Sequence, residues 1–103
     1  MGRGSIDADV REHIIANSIY LDETASDAEV AAELWGNKTI WEKKRAQRRW
    51  WTEYDRVVKI AGRYIMYPWA VAGGLTARER GWEQDYSSIR FATLKLKTVI
   101  YYE

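Results

Sequence analysis

The chain has 103 residues, of which 47% are apolar and 30% charged, with a formal net charge of +1. That length gives room for one domain with a modest core, and the composition excludes an intrinsically disordered chain. The lack of cysteine excludes disulfides, a thiol nucleophile and thiolate-bound metal, while no apolar run reaches the about 18–20 residues of a membrane span and the start MGRGSIDADVREH has no signal-peptide core, so a cytoplasmic location without membrane contact is expected.

The small net charge hides an uneven distribution. Residues 1–37 carry two basic and eight acidic side chains, whereas residues 38–49 carry Lys38, Lys43, Lys44, Arg45, Arg48 and Arg49 against Glu42 alone. Such asymmetry speaks about partners, internal or external. The expected organisation is a single domain over 1–103: a flexible tail at 1–5, a helical part at 6–54 and a β-rich part at 55–103.

In chain order, Val10, Ile14 and Leu21 fall on one side of a helix predicted over Asp7 to Leu21, with Asp7 and Asp9 near its positive end. Ile15 and Ile19 lie on a different side, which leaves homodimerisation open. Ser26 and Glu29 have the spacing of a capping box, so a second helix of about nine residues starts there and stops at Gly36-Asn37 in a left-handed turn. Thr39 to about Tyr54 reads as a third helix. Between Trp41 and Trp50 its one apolar residue is Ala46, so its middle should be wet or in contact with a polar partner.

Beyond Asp55 the pattern turns to β-branched and aromatic residues. Arg56 to Ile60 and Arg63 to Val71 flank Ala61-Gly62 as a hairpin, with Pro68 at an edge or at the end of pairing. Gly73-Gly74 begins a loop, Thr76 and Glu79 repeat the capping spacing, and Ser87 to Tyr102 is a last strand region broken near Ala92-Thr93. The expected fold is α+β, with two or three N-terminal helices packed on an antiparallel sheet of about three strands.

Residues 26–49, SDAEVAAELWGNKTIWEKKRAQRR, resemble the helix-turn-helix of small bacterial and phage DNA-binding regulators. Ser26, Glu29, Val30, Ala31 and Leu34 match its first helix, and Lys38, Thr39 and Ile40 match the start of its recognition helix. Trp35 departs from the family by standing where glycine is usual, and the turn is about one residue short. The resemblance implies a non-enzymatic DNA-binding regulator whose residues Asn37, Lys38, Thr39 and Trp41 approach the groove of a duplex. Lys43, Lys44, Arg45, Arg48 and Arg49 would then hold phosphates. Trp41 could instead stack on an unpaired base or pack in the core.

Three other readings stand beside it. The basic segment could pair with the acidic N-terminal region, the charge asymmetry and aromatic surplus could serve a protein partner, as in a phage-encoded inhibitor or assembly factor, or the rings of Tyr64, Tyr67, Trp69, Trp82, Tyr86, Tyr101 and Tyr102 could hold a nucleotide. Core packing is the first role of those rings. No catalytic constellation, metal site or cofactor motif is expected. His13, the sole histidine, has no evident nucleophile or ligand partner and reads as exposed or capping, and Asp7, Asp9 and Glu12 serve the helix start.

Overall fold

The computed structural model describes residues 4–73, residue 79 and residues 81–93. Two helices, α1 (Ala8–Ala16) and α2 (Asp27–Trp35), precede strands β1 (Trp41–Gln47), β2 (Thr52–Ile60), β3 (Arg63–Val71) and β4 (Arg90–Ala92). The strands form one antiparallel sheet in the order β1-β2-β3-β4.

Local chemistry sets both helix starts. Asp7 caps α1 by accepting hydrogen bonds from the amides of Asp9 (2.9 Å) and Val10 (3.4 Å). At α2 the capping box is complete: Ser26 Oγ accepts from the Glu29 amide, and Glu29 Oε1 accepts from the Ser26 amide. Arg11 joins the two helices, donating to Asp27 at 2.9 Å and to the carbonyls of Glu23 and Ala25. Below them, Val10, Ile14, Val30, Ala31 and Leu34 form one buried core with Val58, Ile60, Ile65, Tyr67 and Ile89 of the sheet side.

Several expectations need correction. α1 ends at Ala16 rather than Leu21, where Asn17 bonds back to the His13 carbonyl. This places Ile19 past the helix, 87% exposed. α2 stops without a left-handed turn, since Gly36 keeps right-handed helical dihedrals and the Asn37 side chain donates to the Glu33 carbonyl at 2.8 Å. His13 is half-buried: its Nε2 lies 2.7 Å from the Ile60 carbonyl oxygen and its ring meets Phe91 edge-on.

The main correction concerns the third helix. Thr39 to Tyr54 contains β1, a loop and the start of β2, so the described residues form two α-helices and four strands instead of two or three helices and about three strands. The second helix required by a helix-turn-helix is therefore replaced by a hairpin. Glu42 to Gln47 are good helix formers, but pairing with β2 overrides that weak local preference. The scarcity of apolar residues noted in the sequence fits an edge strand, whose charges also discourage edge-to-edge association.

The β2–β3 hairpin follows the expected Ala61-Gly62 turn, in which Ala61 (φ 50°) and Gly62 (φ 82°) are both left-handed. Counting pairs from that turn makes Asp55 and Pro68 a wide pair without mutual hydrogen bonds. Proline's missing donor is thus harmless to β2. β4 pairs β3 no further than Met66, and the Pro68 carbonyl accepts from Gln84 Nε2 (3.4 Å). Of the expected Thr76–Glu79 turn only Glu79 is among the described residues, and the strand region beyond Thr93 lies outside them.

Candidate nucleic-acid interface

The basic segment occupies β1 and the loop that turns it into β2. The loop, Arg48 to Trp51, is closed by a hydrogen bond from the Arg48 amide to the Trp51 carbonyl at 2.7 Å. Trp50 stands at its tip, 51% exposed, with the Arg49 guanidinium 4.9 Å from its ring centre.

A bulge divides the cations between the two faces of the sheet. Lys44 opposes Tyr54 and Ala46 opposes Glu53, which leaves Arg45 as the extra residue. Arg45 reaches Glu53 (3.4 Å) and Asp55 (3.7 Å) on the face away from the helices, and Arg48 reaches Glu53 at 3.3 Å. Glu53 also accepts from the Trp51 indole at 2.8 Å. Burial alone would raise the Glu53 pKa. The hydrogen bonds from Trp51 and Arg48, with the charges of Arg48 and Arg45, outweigh it and hold the carboxyl below its ordinary range.

The helix-side face is arranged differently. Cross-strand register aligns Lys44, Tyr54 and Trp69 in one row, and Glu42, Arg56 and Tyr67 in the next. Arg56 bonds Glu42 and lies 4.9 Å from the Trp69 ring centre. Trp69 meets Trp35 edge-on at 5.4 Å and Tyr67 at 6.5 Å. Trp35, the residue foreign to the helix-turn-helix pattern, therefore closes the end of the helix layer. Lys44 donates to Gln47 Oε1 at 2.9 Å beyond that closure.

The structure thus separates the residues singled out in the sequence. Asn37 is spent on the end of α2, Lys38 and Thr39 lie in the link to β1, and Trp41 opens β1 opposite Val57. Lys43 and Lys44 project from opposite faces of one strand, Arg45 and Arg48 are bound to carboxylates, and Arg49 sits at the tip. The ion pairs of Arg45 and Arg48 run to β2 rather than to the acidic N-terminal region. Sequence reasoning missed Trp50, Tyr54 and Arg56 as members of this surface, and named Trp69 only among the surplus rings. The alternation of Thr52, Tyr54, Arg56, Val58 and Ile60 was the available signal.

Among the described residues, no group of His, Asp and Glu is placed to hold a metal ion, and no helix is long and apolar enough to cross a membrane. Comparison of the chain with family models, curated proteins and solved structures gives no match.

Proposed function

We propose that the protein binds DNA without catalysing a reaction on it, through the β1–β2 hairpin in place of a recognition helix. One observation carries the reading. Residues 38–60 hold eight basic and three acidic side chains, and the three acids, Glu42, Glu53 and Asp55, are each engaged by an arginine. Among the described residues Lys38, Lys43, Lys44, Arg49 and Lys59 make no ion pair, with Arg49 beside the exposed Trp50 indole at the loop tip and Lys59 over the Tyr64 ring.

Such a hairpin suits phosphate contact, with Lys38, Lys43, Lys44 and Arg49 replacing condensed counterions. Arg45 and Arg48, held by Glu53, contribute less. Because β2 is paired with β3 along its whole length, the edge strand β1 and the β1–β2 loop are the parts that can approach DNA, and the exposed tryptophan at the loop tip suits an unpaired base. Charge reversal of Lys43, Lys44 and Arg49 together should abolish binding to labelled DNA at low salt, measured by anisotropy, while circular dichroism stays unchanged. Undiminished binding by that variant would sink the proposal.

A second reading rests on Ile19 and Tyr20, 87% and 82% exposed in the loop after α1. Two large apolar side chains in solvent suit contact with a protein, most simply a second copy of this chain. Sedimentation equilibrium would show a dimer that Ile19→Ser dissociates; a monomer at all concentrations removes that contact.

A further inference from the structure

The helices pack on the part of the sheet face nearest the β2–β3 turn. The helices cover Val58, Ile60, Ile65 and Tyr67, and their cover ends where Trp35 meets Trp69. The same sheet face continues past that point through Tyr54 and Lys44 to Thr52, Gln47 and the exposed Val71.

This shelf has a definite chemistry. Tyr54 is half-buried in the middle of the row, between the cation of Lys44 on β1 and the indole of Trp69 on β3. Arg56 is held in place from two sides, by the Glu42 carboxylate and the Trp69 ring. Because alternate residues point to opposite faces, Glu53 and Asp55 project the other way. The bulge carries Arg45 to them and leaves Lys44 on the shelf. Glu42, the acid of the adjoining row, is neutralised by Arg56.

Resting on the DNA-binding reading above, we infer that this shelf is a stacking site for unpaired nucleobases, so that the preferred ligand is a single strand. Tyr54 offers the ring on which a base stacks, Lys44 meets the adjoining phosphate, and Arg56 is fixed beside it. Thr52 lies about 7 Å from Tyr54 along β2, the spacing of same-face neighbours, and leads to the tip where Arg49 and Trp50 stand. A strand laid from the tip to the shelf would meet an aromatic ring and a cation at each end. The stacking energy of a base is largely independent of its identity, so the site would tolerate many sequences.

The test compares an oligothymidylate with a mixed-sequence duplex of equal length, at low salt, on the full chain. Wild type should bind the single strand more tightly. Tyr54→Ala and Lys44→Gln should each weaken that binding, Tyr54→Ala by about tenfold or more, while Tyr54→Phe should retain it. Lys43→Gln, on the opposite face, should have a smaller effect than Lys44→Gln. The Lys44 and Lys43 pair keeps the test decisive if Tyr54→Ala unfolds.

Equal affinity of Tyr54→Ala and wild type, or a preference of wild type for duplex, would overturn the shelf while leaving DNA binding in place. Absence of binding by wild type to either form would overturn both.

Discussion

The helix layer and the basic hairpin are stabilised by different means. In the helices, Val10, Ile14, Val30, Ala31 and Leu34 are buried to 1% exposure or less, and each start is closed by its own cap. Full burial of one such aliphatic side chain contributes about 1.5–3 kcal/mol. In the β1–β2 hairpin, β1 buries almost nothing, and the loop end is held by backbone pairing and the Glu53 cluster. Ion pairs whose arginines stand in solvent, as Arg45 and Arg48 do, contribute about 0–1 kcal/mol each. The comparison teaches that the acidic layer is built for stability, whereas β1 and its loop keep their cations in solvent at little gain in stability.

Substitutions can break or sharpen that contrast. The largest effect should come from Leu34→Ala, which opens a cavity in the shared core and should cost about 2–5 kcal/mol in urea unfolding. A loss below 1 kcal/mol would mean that the helices do not carry the fold. Glu53→Gln should come next, at about 1 kcal/mol, because Arg45 and Arg48 stand largely in solvent and screening discounts their pairs. The same change should strengthen DNA binding by releasing two arginines.

The Glu53 contribution also has a sign in pH. Its folded pKa lies below the unfolded value, so the stabilisation is present above about pH 4.3, the ordinary glutamate range, and is lost as pH falls through the folded pKa. Thermal melts of wild type should therefore decline in acid more steeply than those of Glu53→Gln. Parallel pH profiles would assign no such role to Glu53. Ser26→Ala should cost about 1 kcal/mol through loss of the capping box, measured in the same urea titration.

The smallest effect is a gain. Ala61 holds a left-handed conformation, which costs an ordinary residue about 1–2 kcal/mol and asparagine less. Ala61→Asn should raise stability by about 0.5–1 kcal/mol, since Asn-Gly is the favoured sequence of this turn. A fall in melting temperature would contradict the turn geometry.

The parts legible in the sequence are those decided by neighbouring residues. Ser26 and Glu29 reach one another within a single turn, Asp7 caps its own helix, and Ala61-Gly62 brings adjacent strands together. β1 was not legible because what makes it a strand is supplied by Thr52 to Val57, while its own residues Glu42 to Gln47 favour helix. The row Lys44, Tyr54 and Trp69 depends further on register across three strands and on a bulge at Arg45. The cations themselves could be read in advance, but their division between two faces could not.

The central claim is that the uncompensated cations of the hairpin meet the phosphates of DNA. Its most direct test is the salt dependence of DNA affinity for wild type and for the Lys38→Gln, Lys43→Gln, Lys44→Gln and Arg49→Gln combination. Four phosphate contacts predict a slope of log K against log salt of about −3 to −4 for wild type, and a slope close to zero with weak binding for the variant. Identical slopes and affinities in the two proteins would contradict the account.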